Sequence, residues 1–196
     1  MSWLLLATGF TGALTLVYLA RCLARLLHQP ASAQAHFSPH GGCTDVVVAE
    51  LGRARREVLV QAYSFTSKPI AEALVAAKTR GVSVTMLLDK SNEVETHTEL
   101  PWLVEQGLAP LIDAHHAIAH NKVMVIDGHT LLTGSFNFTH QAEAENAENL
   151  LVLRGHSELA RAYREQFEAH KEHCRQPQAR AEAHADASAH HGRKAA

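Results

Sequence analysis

Apolar residues recur at two different spacings along the middle of the chain. Across residues 44–56 the spacing is helical, with Thr44 as the expected N-cap residue. Residues 57–63 are β-branched and apolar and are followed by polar residues, which predicts a strand. A helix over residues 70–80 and a strand over residues 82–89 then complete a strand–helix–strand unit.

The rest of the middle region continues this alternation. The same criteria predict helices over residues 100–107 and 157–173 and strands over residues 109–112, 122–126, 130–132 and 150–153. Because the strand over residues 82–89 is largely apolar, we expect it to be central in its sheet, with both faces covered. The predicted fold class is therefore α/β, with a central mixed β-sheet flanked by helices.

The N-terminal region is apolar and uncharged over residues 3–20 and is followed by Arg21 and Arg25. A run of this length is at the lower limit for a membrane-spanning helix, so a signal anchor is one interpretation, and the following arginines favour a cytoplasmic domain. A cleaved signal peptide is the other, because two small-x-small sites follow, Ala31-Ser32-Ala33 and Ala33-Gln34-Ala35. The first interpretation makes the protein membrane-associated and the second makes it periplasmic or secreted; both remain open.

The C-terminal residues, 176–196, are rich in alanine, histidine and charged residues and contain no bulky apolar residue. Such a composition cannot form a packed core, which predicts a disordered tail in which His184, His190 and His191 have no assigned function. The chain is thus predicted to comprise a signal anchor or signal peptide with its linker (residues 1–35), one catalytic domain (residues 36–175) and the tail.

Composition narrows the class of protein. The 196 residues are 46% hydrophobic and 19% charged, as in an ordinary globular protein with one full core. With 18 basic and 20 acidic residues, the net charge of −2 provides no overall positive field for packaging nucleic acid. The cysteines, Cys22, Cys43 and Cys174, are far apart and odd in number, which suggests neither a disulfide framework nor a zinc site.

The segment around residues 120–137 contains the candidate chemistry. On an extended strand, His120 and Lys122 lie two residues apart and share a face, which places an imidazole beside an ammonium group. Ser135 and Asn137 repeat this spacing, and Gly134 lets the backbone approach a ligand closely. Histidine can act as a nucleophile or a proton carrier near neutral pH, and lysine supplies a compact positive charge for a phosphate oxygen. The pattern is typical of a phosphate-binding site.

The full spacing, H-x-K-x4-D-x6-G-S-x-N, resembles the signature of the phospholipase D superfamily at every position, with Asp127 as its acidic residue. The likeness continues in three further segments: Phe37-Ser38-Pro39, Ala62-Tyr63-Ser64-Phe65-Thr66 and Glu148-Asn149. These segments are most similar to the small bacterial endonuclease branch, which has one motif per chain. The mitochondrial cardiolipin hydrolase branch, which includes the nuclease Zucchini, is more distantly similar.

The resemblance implies a set of catalytic residues. His120 would attack phosphorus to form a phosphohistidine, while Lys122, Ser135 and Asn137 would bind the phosphate oxygens and stabilise the transition state. Glu148 would accept a hydrogen bond from the other nitrogen of the nucleophile, and Asp127 would belong to the catalytic motif chiefly as a structural and electrostatic residue. No metal or cofactor is implied. Tyr63, Phe65 and Lys90 are assigned no function.

A single motif leaves the chain one histidine short. The family needs a second histidine to protonate the leaving oxygen, and it obtains one from a second copy of the motif. Four other histidines, His115, His116, His129 and His140, lie near His120, but none has the required continuation. The resemblance therefore implies a homodimer with two His120 side chains at the twofold interface.

The sequence leaves the substrate open. A non-specific endonuclease acting on DNA or RNA is favoured by likeness to the bacterial branch, and a phospholipase D acting on membrane phospholipids is favoured by the apolar residues 3–20. A third alternative is a non-catalytic nucleic-acid- or lipid-binding protein of the same fold. The intact motif argues against this third interpretation.

Overall fold

In a computed structural model, the residues described are 31–178, together with Tyr18. Their strands are β1 (Ser32–Ser38), β2 (Glu57–Ala62), β3 (Ser83–Asp89), β4 (Leu111–Asp113), β5 (Lys122–Ile126), β6 (Thr130–Gly134) and β7 (Glu148–Arg154). They form one sheet in the order β1-β7-β6-β5-β2-β3-β4. The pairs β2–β3 and β3–β4 are parallel, whereas the other neighbours are antiparallel.

Helices cover both faces of the sheet, and they are α1 (Cys43–Arg53), α2 (Lys68–Thr79), α3 (Leu100–Glu105), α4 (His140–Ala144) and α5 (Ser157–Lys171). Alternate strand residues point to opposite faces. Val58, Val60 and Met124 pack on the face covered by α1 and α2. Leu59 and Val125 pack on the other face, against α5. The predicted α/β fold class, a central mixed sheet flanked by helices, is confirmed.

Two predictions about the strands need correction. Strand β3 is not central: it lies second from one edge, beside the short edge strand β4, and only its C-terminal half is buried. The central strand is β5, which is buried along its whole length because antiparallel β2 and β6 flank it.

Strand β1 was not predicted. It forms the opposite edge of the sheet and pairs with β7 from Ser32 to Ser38, so the described fold begins before the predicted boundary at residue 36. Its apolar residues, Ala33, Ala35 and Phe37, alternate with polar ones, but alanine has a low strand propensity and all three are exposed, so the pattern was only a weak strand signal. Both candidate signal-cleavage sites overlap this strand.

The start of α1 also differs from the prediction. Its N-cap is Gly42 in a left-handed conformation rather than Thr44, and Gly42 makes no side-chain cap hydrogen bond. The free N–H groups of Gly42 and Thr44 instead donate to the carboxylate of Glu143, at 2.9 and 2.7 Å. A residue of α4, itself not predicted, therefore caps α1.

Within residues 31–178 no helix is long and apolar enough to cross a membrane. The predicted anchor or signal segment lies outside the described residues except for Tyr18, and so does most of the predicted tail, from residue 179 onward.

Candidate active site

All the predicted site residues except Asp127 come together at one end of the strands β5, β6 and β7. His120 and Lys122 lie where β5 begins, Ser135 and Asn137 follow the end of β6, and Glu148 opens β7. The antiparallel pairings align these strand ends, because Gly134 pairs with Leu150 and Val123 with Thr133. The three segments that supply these residues are thereby adjacent in space although up to 28 positions separate them in the chain.

Tyr63 is the neighbour of both His120 and Lys122. It follows β2, whose last residue, Ala62, pairs with Lys122. The rings of Tyr63 and His120 lie 4.5 Å apart between centroids with a 54° tilt, and the Lys122 Nζ lies 5.0 Å from the Tyr63 centroid. Such contacts hold an imidazole and a cation in place. Sequence reasoning assigned Tyr63 no function; its position directly after the strand that pairs with β5 was the available signal.

Lys122 is the buried cation of the site. Its side chain is only 6% exposed, and Nζ donates a 2.9 Å hydrogen bond to the carbonyl oxygen of His120. Burial lowers the pKa of Lys122, and the negative charge of Glu148 partly opposes that effect. Among residues 31–178 this is the one hydrogen bond of the ammonium group, which leaves two N–H donors for an anion.

Ser135 and Asn137 differ in how they are held. The Ser135 hydroxyl oxygen accepts hydrogen bonds from the backbone N–H and the side-chain Nδ2 of Asn149, both at 3.1 Å. The Asn137 Oδ1 is buried and has no hydrogen-bond partner among the described residues. A buried amide with unused hydrogen-bonding capacity is suited to binding a ligand.

The chain passes tightly through Gly134, between β6 and Ser135. A Cβ atom at this position would collide with the carbonyl oxygen of Asn149. Glycine is therefore required here for close packing of β6 against β7, and it sets the direction in which Ser135 leaves the sheet.

Glu148 has a different partner from the one the resemblance implied. Its Oε1 accepts a 3.1 Å hydrogen bond from the Asn146 side chain, and within residues 31–178 no hydrogen bond joins it to His120. Its electrostatic effect is on Lys122, whose pKa it raises against the effect of burial. The hydrogen bond from His120 to Glu148 that the resemblance implies is therefore still a prediction for this pair, which lies at the same end of the strands.

Asp127 lies at the other end of β5, directly after Ile126 and away from His120. Its carboxylate accepts backbone hydrogen bonds from Arg55, Arg56 and Glu57 at 2.9, 2.7 and 2.9 Å. Burial raises the pKa of Asp127, but the three N–H donors outweigh it and the net pKa is lowered. These contacts are structural: they join the segment before β2 to the end of β5.

Residues 47–171 match the family model described as "Cardiolipin synthase, PLD-like domain". The chain belongs to this phospholipase D-like family. The match includes the whole candidate site, so the family prediction made from the motif is confirmed.

Relatives with names of their own match the same region. A protein named Phospholipase D from Rickettsia typhi is 40% identical over 127 residues, which are 65% of this chain and 62% of that protein. A mitochondrial cardiolipin hydrolase from Xenopus tropicalis is 31% identical over 116 residues, 59% of this chain and 55% of that protein. The match thus spans less than two thirds of the length of these two relatives.

Among solved structures, the phospholipase D family member Nuc from Salmonella typhimurium has a TM-score of 0.72 and 32% identity. The alignment covers 76% of this chain and 99% of the Nuc chain. The phospholipase D-like domain described here therefore corresponds to almost the whole of Nuc.

Proposed function

We propose that this phospholipase D-like protein is a phosphodiesterase that needs no metal for its chemistry, and that its substrate is DNA or RNA cut with little sequence preference. The observation that carries the proposal is the grouping of His120, Tyr63 and Lys122 at the start of β5, beside Ser135 and Asn137. This end of the strands combines a nucleophilic imidazole and a buried cation with the hydroxyl of Ser135 and the amide of Asn137.

The first chemical step is attack on phosphorus by an imidazole nitrogen of His120. A phosphorus–nitrogen bond forms as the bond from phosphorus to the leaving oxygen breaks, and an imidazolium donates a proton to that oxygen. The ammonium group of Lys122 and the Nδ2 amide group of Asn137 donate hydrogen bonds that stabilise the negative charge of the phosphoryl oxygens.

The second step releases the enzyme. The imidazole that lost its proton accepts one from water while the water oxygen attacks phosphorus and the phosphorus–nitrogen bond breaks. His120 is then free again, and the other imidazole has recovered its proton.

The acid in this scheme is His120 of the partner subunit in a twofold dimer. The exposure of two large apolar side chains near the site supports this proposal: Phe37 is 62% exposed and Ile118 is 59% exposed. Phe37 pairs across the sheet with Asn149, which contacts Ser135, and Ile118 lies two residues before His120. Exposed apolar groups beside a site are suited to an interface that covers it.

Two substrates fit this chemistry, and nuclease activity has the broader support. The Nuc chain matches along 99% of its length, and the motif segments resemble the bacterial endonuclease branch. Phospholipase D activity is the second candidate, favoured by the name of the Rickettsia relatives and by the apolar residues 3–20. If that apolar segment is retained, it would hold the site near a membrane.

The test is an activity assay of the full-length chain, purified in detergent, with EDTA present and at a temperature at which the metal-free protein stays folded. Substrates are single-stranded DNA, duplex DNA, RNA and phospholipid vesicles. We compare the wild type with His120→Asn and with His129→Asn, which alters an exposed histidine at the opposite end of β5.

We expect nucleic-acid cleavage to fall by at least about 10³-fold in His120→Asn, since the nucleophile is lost, and to persist in His129→Asn. If the protein cleaves phospholipid and not nucleic acid, its activity is that of a phospholipase D, the second candidate, rather than that of a nuclease. Activity that survives in His120→Asn, or that requires added Mg²⁺, would refute the mechanism.

A further inference from the structure

A second group of chemically active side chains lies outside the candidate active site. Asp113 ends β4, His116 lies in the loop that follows, and His170 and His173 come from the C-terminal end of α5 and the residues after it. One potential ligand atom from each of the four side chains lies within 4.8 Å of all the others. We call this group the Asp113 cluster.

The distances in the Asp113 cluster are compatible with a bound metal ion. The Asp113 Oδ2 lies 2.9 Å from His116 Nδ1, 3.5 Å from His170 Nδ1 and 3.4 Å from His173 Nε2. In a tetrahedral zinc site with ligands at about 2.0–2.1 Å, neighbouring ligand atoms are about 3.4 Å apart. The nitrogens of His170 and His173 already lie at this separation from the Asp113 Oδ2, and the His116 Nδ1 is closer, at hydrogen-bonding distance.

Hydrogen bonding without a metal leaves one of these atoms unpaired. The His170 Nδ1 is buried and has no hydrogen-bond partner among the described residues, although it lies near the Asp113 carboxylate. Asp113 is only 2% exposed and His170 only 13% exposed, so water does not readily compensate for a missing partner. A cation between the four atoms would engage all of them.

The other oxygen of Asp113 is used for positioning. Its Oδ1 accepts hydrogen bonds from the backbone N–H groups of His115 and His116, at 3.2 and 3.3 Å. These bonds fix the carboxylate. Its Oδ2 lies near all three imidazoles, and the His116 Nδ1 is also 3.1 Å from Oδ1. A ligand held by hydrogen bonds of this kind is typical of an organised metal site.

We infer that Asp113, His116, His170 and His173 bind one zinc ion. Imidazole nitrogen and carboxylate oxygen are common zinc ligands, and a site with four protein ligands has no open position for a substrate. The zinc would therefore stabilise the fold and would not take part in cleavage.

The position of the cluster indicates what the zinc would hold in place. The ion would join β4 and the loop after it to the end of α5, where Arg175 and Ile112 already exchange backbone hydrogen bonds at 2.7 and 3.0 Å. The same loop continues to His120, four residues after His116. Zinc would thus brace the segment that leads to the nucleophile without touching the reacting atoms.

The sequence contains a spacing signal for this site. Asp113 and His116 are three residues apart, and so are His170 and His173. A pair at this spacing on a helix shares one face, but nothing in the sequence places the two pairs together. Only the packing of α5 against the sheet does so.

The test measures zinc binding by the full-length chain, purified in detergent without a metal-affinity tag and freed of metal with EDTA. Titration calorimetry with ZnCl₂ gives the affinity and the number of ions, and thermal unfolding gives the stabilisation. The variants are His173→Asn, which removes a ligand, and His115→Asn, a neighbouring histidine outside the ligand set. A double variant of the tail, His190→Asn with His191→Asn, tests the other histidine-rich segment.

We expect one tight zinc ion per wild-type chain and an affinity at least about 100-fold weaker in His173→Asn, since one of four ligands is lost. His115→Asn and the tail variant should keep the tight site, and zinc should raise the unfolding temperature of every protein except His173→Asn. Equal affinity in the wild type and His173→Asn, or loss of binding only in the tail variant, would overturn the proposal.

Two further measurements keep the test decisive. If His173→Asn does not fold, the visible spectrum of Co²⁺ bound to the wild type and to the tail variant shows whether the ion has tetrahedral coordination; an octahedral spectrum would contradict the site. Zinc binding in His120→Asn should equal that of the wild type. Loss of cleavage with intact zinc binding therefore separates this site from the proposed active site.

Discussion

At the residue scale, the two charged members of the motif have opposite environments and tasks. Lys122 is buried at the start of β5, and among the described residues its ammonium group makes one hydrogen bond. The Asp127 carboxylate, at the far end of the same strand, accepts three backbone hydrogen bonds. A five-residue strand spans about 16 Å, so the two groups cannot share a ligand. The motif therefore combines a catalytic end and a structural end of β5.

Replacement of Asp127 by asparagine tests this division. The amide nitrogen cannot accept a hydrogen bond, so at least one backbone N–H loses its partner, and the charge that strengthens the others is removed. We expect a loss of about 1–3 kcal/mol in the free energy of unfolding, measured by urea denaturation. Cleavage per folded molecule should change much less than in His120→Asn. Asp45→Asn is the matched control, because Asp45 is exposed and makes no side-chain hydrogen bond to another described residue.

The effect should depend on pH in a defined direction. The folded-state pKa of Asp127 lies below its ordinary value of 3.8, so its stabilising contribution is complete above that value and is lost as pH falls through the lowered pKa. The stability difference between the wild type and Asp127→Asn should therefore be constant near pH 7 and shrink below about pH 4. A difference that grows on acidification would show that another group is responsible.

The sequence predicted these residues unequally, for a physical reason. Spacing along a strand predicts which side chains share a face, and His120 and Lys122 were predicted to do so. In the structure β5 begins only at Lys122, and the Tyr63 ring lies near both side chains. Spacing carries no information on contacts across strands. Tyr63 against His120, Asn149 on Ser135 and Asn146 on Glu148 all depend on the pairing of segments, and each was missed for that reason.

At the element scale, the start of α1 depends on a residue 99 to 101 positions away. Glu143 receives the N–H groups of Gly42 and Thr44, and its own carbonyl oxygen accepts from His40 at 2.9 Å. Thr44 was predicted as the N-cap because the sequence pattern shows only residues that are close in the chain. The same limit explains the missed strand β1, because its alternation of alanine and phenylalanine with polar residues is a weak signal without its pairing with β7.

We expect Glu143→Ala to destabilise the fold by about 0.5–2 kcal/mol, the cost of losing a helix cap. Glu145→Ala removes an exposed carboxylate two residues further along and should change stability by less than about 0.5 kcal/mol. Urea denaturation compares the two variants at pH 7. Equal stability of Glu143→Ala and the wild type would show that water replaces the carboxylate at this helix end.

At the scale of the whole molecule, the candidate catalytic residues lie at one end of the strands and the structural carboxylate of Asp127 lies at the other. The end that holds His120 also includes Asn149 on β7 and Phe37 on the edge strand β1. Local patterns predicted the fold class because each helix and strand buries its own apolar face. The order of strands, and with it the position of β3 near an edge, follows from pairings that no single segment encodes.

The proposed dimer places His120 of both subunits in one catalytic centre, which can be tested with mixed dimers. If each catalytic centre contains His120 from both subunits, a mixed dimer of wild type and His120→Asn has only one histidine and is inactive. Mixing equal amounts and allowing subunit exchange leaves about one quarter of the dimers with two wild-type chains, so activity should fall to about half of that of the unexchanged mixture. Sedimentation velocity establishes the dimer, and a Phe37→Ser variant should weaken it, since the exposed ring would be buried at the interface. An active monomer, or a mixture whose activity does not change on exchange, would mean that each chain completes the reaction with its own residues.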